Sequence, residues 1–90
     1  MGASDDSWTT EAADIATEAA IVQHLLHLHP VQLTLSELIR EIAGERPSFE
    51  ERDAVERAVR DLVAAGILHR TESQLTPTRA ALRLTQLLDR

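Results

Sequence analysis

The stretch that most constrains this 90-residue chain is residues 48–88, which reads as a helix, a short hairpin and a second helix. Ser48 and Glu51 have the S-x-x-E spacing of a capping box, which predicts that a helix begins at Ser48. That helix is expected to continue to about Ala65, because Gly66 follows it and glycine commonly ends helices. The first helix of this pair should bury Ala54, Val55, Ala58, Val59 and Leu62.

A hairpin and a last helix follow Gly66. Residues 67–70 and 74–76 alternate between apolar and polar side chains, which predicts two strands around a turn at residues 71–73. Thr76 is the predicted N-cap of the last helix, with Pro77 in its first position. One face of this helix carries Ala81, Leu84 and Leu88. We expect that face either to complete the core against the first helix or to form a homodimer seam made of Leu84, Leu87 and Leu88.

Two helices are also predicted ahead of Ser48. The first should run from about Thr10 to about His29, where Pro30 stops it. Its predicted buried stripe is Ile15, Ala19, Val22 and Leu26, with Leu25 beside it. Residues 31–34 are extended and could supply a third strand. Ser36 is the predicted N-cap of a helix that ends near Ala43 and turns Leu38, Ile39 and Ile42 inward.

Two phrases in this order of elements resemble the winged helix-turn-helix repressors of the MarR and PadR kind. Leu62, Gly66, Ile67 and Leu68 match the Leu-x-x-x-Gly-Leu/Ile-Leu/Ile phrase that enters the hairpin, and Leu75, Thr76 and Pro77 match the Leu-Thr phrase before the last helix. The resemblance covers about residues 18–88. It implies a mainly α fold with a small β-hairpin: a three-helix core, a short wing and a C-terminal helix. It also implies a bacterial transcriptional regulator whose third helix reads a major groove of double-stranded DNA. The chain departs from these families in two places. The wing turn is short and contains Glu72, and Arg79 replaces the glycine usually found early in the last helix.

The charge is distributed unevenly along the chain. The net charge is −6, yet residues 1–20 contain five acids and no basic residue, so the remaining chain has ten acids against nine arginines. We therefore expect a flexible acidic arm at residues 1–9 and a nearly neutral winged-helix domain at residues 10–90. All nine basic residues are arginines, whose planar guanidinium groups suit phosphate and guanine.

The third helix carries the candidate DNA contacts. Arg57 and Arg60 are the expected principal contacts in the major groove, with Arg46 and Arg52 on the flank. Arg70 on the wing and the backbone amides near Ser48 are expected to contact phosphates. Asp53 and Glu56 precede Arg57 and Arg60 by four residues, a spacing typical of ion pairs on a solvated helix face. The alternative is therefore a protein-interaction adaptor that does not bind DNA.

Several other functions lack a sequence basis. The chain has no cysteine, and the helical positions of His24 and His27 predict exposed side chains, so no metal site and no cofactor are expected. No nucleophile motif or glycine-rich phosphate loop is present, so an enzyme is not expected. No apolar run is long enough to span a membrane, and no secretory signal is seen, so we expect a cytoplasmic protein. Its expected partners are double-stranded DNA or another protein.

Overall fold

The computed structural model describes the backbone of residues 2–89 and the side chains of residues 11–89, and this part of the chain is mainly helical. In chain order the elements are α1 (Gly2–Leu28), β1 (Leu33–Thr34), α2 (Leu35–Ala43), α3 (Phe49–Ala64), β2 (Leu68–Thr71), β3 (Gln74–Pro77) and α4 (Arg79–Leu88). The four helices and the small antiparallel sheet are compatible with a winged-helix arrangement. None of the described helices is long and apolar enough to cross a membrane.

The sheet is built around β3, which pairs with β1 on one side and β2 on the other. Leu33 of β1 faces Leu75 of β3, so the expected third strand is present, although it consists of Leu33 and Thr34 alone and not of residues 31–34. Thr71 pairs with Gln74, so the turn between β2 and β3 has two residues instead of the three expected. Its first residue, Glu72, has a φ of 54°, a left-handed conformation that two-residue hairpins require.

One aliphatic core holds the helices against the sheet. Its buried side chains are Ile21, Leu25, Leu33, Leu38, Ile39, Val55, Ala58, Val59, Leu62, Leu68 and Leu75. The buried stripe predicted for α3 is confirmed, apart from Ala54, which is half-buried. In α2, Leu38 and Ile39 are buried as predicted, and Ile42 packs against the core from its edge.

The prediction for the first helix is wrong in its start and in its buried face. The helix α1 begins at Gly2, whereas a start near Thr10 was expected, and the side chains of residues 1–10 lie outside the described residues. The flexibility expected for residues 1–9 stays a prediction. Among the described side chains of α1, Ile21 and Leu25 are buried, and Val22 of the predicted stripe packs against the core. Ile15 and Ala19 are exposed, so the first half of the predicted stripe does not reach the core.

Threonine and serine caps fix where three helices begin. Ser48 caps α3 as predicted, and its hydroxyl accepts a hydrogen bond from the backbone N–H of Glu51. The predicted cap Ser36 is wrong, because Thr34 caps α2 in a capping box with Glu37. Thr76 is also wrong as a cap. Pro77 belongs to β3, and the next residue, Thr78, caps α4 by accepting from the N–H of Ala81 at 3.1 Å.

The last helix does not complete the core. The start of α4 is hydrogen-bonded to the segment that follows α3, because the hydroxyl of Thr78 donates to the carbonyl of Gly66 at 2.7 Å. Beyond that point no described residue of α4 is buried. The side chains of Leu84, Leu87 and Leu88 are 56%, 54% and 76% exposed. The expectation that Ala81, Leu84 and Leu88 fill the core is therefore wrong, and α4 presents Leu84, Leu87 and Leu88 to solvent.

The assignment of Thr34 as the N-cap of α2 can be tested by mutation. Thr34→Ala should lower the free energy of unfolding by about 1 kcal/mol, because it leaves the backbone N–H of Glu37 without its partner. Ser36→Ala is the matched control and should leave stability nearly unchanged. Urea denaturation of both variants measures the difference. Equal losses for the two variants would contradict the assignment of Thr34 as the cap.

The same cap should respond to acid. The backbone N–H of Thr34, followed by its hydroxyl, holds the pKa of the Glu37 carboxyl below its usual range. A carboxyl whose pKa is lower in the folded state stabilises that state above its unfolded pKa, and this contribution disappears as the pH falls through the folded pKa. Thr34→Ala keeps this backbone N–H, so the test removes the carboxyl instead: the difference in stability between wild type and Glu37→Ala, measured by urea denaturation, should shrink as the pH falls through the lowered pKa of Glu37.

Candidate nucleic-acid interface

The buried stripe of α3 determines which side chains of this helix reach the solvent. Val55, Val59 and Leu62 point into the core. Arg52, Glu56 and Arg60 follow one another at intervals of four residues, so they lie along one exposed side of the helix. Arg57 precedes Arg60 by three residues, so the two arginines are also neighbours on the helix surface. Their surroundings differ, because Arg57 contacts Asp14 of α1 whereas Arg60 lies beside Arg70 of the hairpin.

Arg57 is held in two ion pairs. Its Nη1 donates to Oδ2 of Asp53 at 2.9 Å, and its Nη2 donates to Oδ1 of Asp14 in α1 at 3.1 Å. The Asp53 contact is the pair expected from the sequence, whereas the Asp14 contact joins residues far apart in the chain. The side chains of Arg57 and Asp14 are 41% and 42% exposed, so water still screens the pair. Arg57 is consequently a poor candidate for a DNA contact.

The first hollow beside α3 lies between α2 and the start of α3 and is called the α2–α3 hollow. It has a volume of about 160 Å³. Two arginines line it, Arg40 from α2 and Arg52 from the first turns of α3, together with one acid, Glu45. The remaining lining residues are Ser36, Ile39, Gly44 and Pro47. Two guanidinium groups at one concave site suit an anionic group such as a phosphate.

A second hollow, called the hairpin hollow, lies between α3 and the hairpin formed by β2 and β3. Its volume is about 320 Å³. Arg60 from α3 and Arg70 from β2 both line it, so the fold brings together two arginines predicted from the sequence. Glu56 is the acid in the lining, and the apolar residues are Leu35, Val59 and Val63.

Together these four side chains, Arg40, Arg52, Arg60 and Arg70, form what we call the arginine face. Arg52 lines the α2–α3 hollow, and Arg60, two i,i+4 steps further along α3, lines the hairpin hollow. Among the side chains that the structure describes, none of the four arginines is in an ion pair, since the two salt bridges found both use Arg57. The expected pair between Glu56 and Arg60 is therefore not formed. The face carries four positive charges against the two carboxylates of its lining.

The other predicted contacts lie at the edge of this face. Arg46 is exposed in the connection between α2 and α3 but lines neither hollow. The hydroxyl of Ser48 is already used by the cap of α3, and the carboxylate of Glu51 accepts from the N–H of Ser48 at 2.8 Å. Only the remaining free amides of the first turn could still contact a phosphate. The sequence prediction missed Arg40, because it considered the third helix, the connection before it and the wing, but not α2.

The histidines depart in one respect from their expected exposure. His27 is exposed as predicted, but His24 is half-buried, and its Nε2 has no accessible surface and no hydrogen-bond partner among the described atoms. The prediction of an exposed His24 is therefore wrong. Within residues 11–89, no group of three or more His, Asp or Glu side chains is placed to hold a metal ion.

No protein-family model, curated protein or solved structure matches the chain. The arginine face is therefore interpreted from its own chemistry. Guanidinium groups donate hydrogen bonds to phosphate oxygens and to guanine, and they do so best when no carboxylate of the protein competes. Four such groups spread over α2, α3 and β2 form an extended surface. This arrangement suits a polyanion better than a single small ion.

The ion pair between α1 and α3 gives the second prediction. In a double-mutant cycle of Asp14→Asn and Arg57→Ala, the coupling in the free energy of unfolding should be about 0.5 kcal/mol, because both side chains are half-exposed. The coupling should fall as salt is added. A coupling several times larger that resists salt would mean that the pair is far better shielded from water than the structure indicates.

Proposed function

We propose that the chain is a winged-helix protein that binds double-stranded DNA and acts as a bacterial transcriptional regulator. The observation that carries this proposal is the arginine face, on which four arginines outside any described ion pair lie along α3 and its two neighbours. In helix-turn-helix readers the second helix of the motif enters the major groove while neighbouring elements contact the backbone. Here α3 is that helix.

The positions of the arginines support a division of roles within the proposed complex. Arg52 and Arg60 lie on one side of α3, which would follow the groove and reach base edges or nearby phosphates. Arg40 on α2 and Arg70 on β2 flank the helix and would contact the two phosphate backbones. Arg57 is removed from the set predicted from the sequence, because Asp14 and Asp53 already accept its hydrogen bonds.

The overall negative charge of the chain does not by itself oppose this proposal. Much of the acidity belongs to residues 1–20, and Asp53 is engaged with Arg57. Glu45 and Glu56 remain beside the arginines and would repel phosphates nearby. Such carboxylates lower nonspecific affinity at every sequence alike. A base that accepts a hydrogen bond from an arginine could offset this cost at a specific site.

A second candidate function is a protein-interaction adaptor, which the apolar lining of the hairpin hollow favours. Leu35, Val59 and Val63 line this hollow beside Arg60 and Arg70. An amphipathic partner segment with apolar and acidic side chains would complement this combination. DNA binding is preferred, because the arginine face extends beyond this hollow to Arg40 and Arg52.

The third prediction tests DNA binding directly. A fluorescent duplex pool of random sequence should bind with a micromolar dissociation constant at low salt, as measured by anisotropy. If the four arginines each neutralise one phosphate, affinity should fall roughly a hundredfold between about 50 and about 200 mM salt. The double variant Arg60→Ala/Arg70→Ala should bind more weakly and with a shallower salt dependence.

Two matched variants separate this surface from general charge effects. Arg79→Ala/Arg83→Ala removes the same two charges from α4, outside the arginine face, and should bind nearly as well as wild type. Arg57→Ala should also have little effect, because that side chain is already paired. Absence of binding by the folded wild-type protein at low salt would contradict the proposal and favour the adaptor.

We also propose a homodimer through Leu84, Leu87 and Leu88. A ten-residue helix is marginal in water unless its apolar face is packed, yet these leucines are more than half exposed in the single chain. A two-fold dimer would cover them and present two copies of α3 to one duplex. Either DNA or a protein partner is compatible with such a dimer.

Sedimentation equilibrium gives the fourth prediction. The wild-type chain should sediment as a dimer at micromolar concentration, and Leu84→Glu/Leu87→Glu should be a monomer, because the substitutions would place four carboxylates in the seam. Arg83→Gln, on the same helix, should remain a dimer. A wild-type chain that is monomeric at the highest soluble concentration would refute the seam.

A further inference from the structure

Phe49 is a large apolar side chain that the fold leaves in solvent. It is the first residue of α3 and is 81% exposed, the highest exposure among the large hydrophobic residues that the structure describes. Phenylalanine is not a strong helix former, so local helix propensity gives no reason for it at this position. It makes no contribution to the core. Neither packing nor helix formation accounts for this ring.

The ring lies on the side of α3 that carries the arginine face. Phe49 precedes Arg52 by three residues, so the two side chains are neighbours on the helix surface. Glu56 and Arg60 continue the same side. Side chains of a helix tilt toward its N-terminus, so the ring projects beyond the first turn of α3. In helix-turn-helix readers the N-terminal residues of the recognition helix are the ones that contact base edges.

The backbone that carries Phe49, at the start of α3, is held by hydrogen bonds. The Ser48 hydroxyl and the Glu51 carboxylate form a reciprocal capping box around the residue that precedes Phe49. The connection before it contains Pro47, which is half-buried and has a restricted φ. The start of α3 is therefore held in one conformation before any partner binds. The backbone that carries the ring therefore needs little further ordering on contact.

We propose that Phe49 is a specificity-determining residue that contacts the 5-methyl group of thymine in the major groove. This assignment rests on the proposed function, since it requires that α3 enters the groove. The thymine methyl is the only apolar group in the major-groove pattern of the four base pairs, and phenylalanine is among the side chains that contact it. The arginines of the face supply affinity for phosphates, whereas the ring distinguishes thymine from the other bases.

The test uses duplexes that differ by one methyl group. The wild-type chain first selects a preferred duplex from a random pool, and each thymine of that duplex is then replaced in turn by deoxyuridine. At one thymine, or at the two related by a dimer axis, the replacement should weaken wild-type binding about fourfold, the effect expected for burial of one methyl group. Phe49→Ala should bind the thymine duplex more weakly and should not distinguish it from the deoxyuridine duplex.

Two further variants make the result specific. Phe49→Leu should retain part of the discrimination, because it keeps an apolar group at the position. Val31→Ala removes another exposed apolar side chain, outside α3, and should discriminate as wild type does. Because Phe49 is exposed, its substitution should leave the thermal unfolding midpoint nearly unchanged, so a loss of discrimination is not a loss of folding.

The failures of the two proposals can be told apart. Selection of a duplex whose affinity does not change at any deoxyuridine would overturn the role of Phe49 and leave DNA binding intact. Discrimination that persists in Phe49→Ala would overturn it as well. Failure of the folded wild-type chain to bind or enrich any duplex would refute the proposed function and, with it, the role assigned to Phe49.

Discussion

The burial of one side of α3 fixes the orientation of this helix about its axis, and this orientation determines which of its side chains form the exposed surface. Val55, Val59 and Leu62 are buried on one side of the helix beside Ala58, and burial of a valine or leucine side chain stabilises a domain by roughly 1.5–3 kcal/mol. A helix anchored in this way cannot turn without exposing them. The same anchoring orients Arg52 and Arg60 toward α2 and the hairpin, while Arg57 is left beside Asp53 and within reach of α1.

The net charge of the chain differs from the charge of the individual surfaces that a partner would meet. A net charge of −6 describes the whole chain, but the partner of a small domain meets one surface. The contact between Asp14 and Arg57 joins α1 to α3, and it engages the guanidinium group of Arg57 with a carboxylate of the protein itself. The arginines outside any described ion pair include the four of the arginine face, on α2, α3 and β2. On α3, Arg57 is paired with carboxylates, whereas Arg52 and Arg60 are in no described ion pair. The helix therefore has two electrostatically different surfaces.

Most helix positions could be predicted from local signals, and the errors occurred where two signals compete. The choice between Thr34 and Ser36 as a cap is one example. Thr34 is followed by Glu37 at the spacing of a capping box, whereas Ser36 is followed at that spacing by the apolar Ile39. The information was therefore present in the sequence. At the start of α4, Pro77 pairs within the sheet, and only the tertiary structure transfers the cap to Thr78.

The first helix shows a limit of periodicity. Apolar residues surround much of α1, so the exposed stripe through Ile15 and Ala19 satisfies helical spacing as well as the buried pair Ile21 and Leu25 does. Periodicity cannot choose between them, because the choice depends on where α3 and the sheet lie.

The candidate site was predictable to a similar extent. Arg52, Arg60 and Arg70 could be named from the third helix and the hairpin; the structure places Arg60 and Arg70 together at the hairpin hollow and Arg52 at the α2–α3 hollow. Arg40 could not be placed without knowing how α2 packs beside α3. The pairing of Arg57 with Asp14 joins positions separated by 43 residues and has no local signature. Contacts of this kind decide which arginines are available, and they follow from the fold alone.

The measurement that tests the account most directly is a titration of the isotopically labelled protein with a random-sequence duplex, followed through the Nε–Hε resonances of its arginines. These signals report each guanidinium group separately. The account predicts that the resonances of Arg40, Arg52, Arg60 and Arg70 shift or broaden, while those of Arg57, Arg79 and Arg83 change little. Equal changes at all arginines, or changes confined to α4, would contradict the claim that the arginine face is the DNA-binding surface.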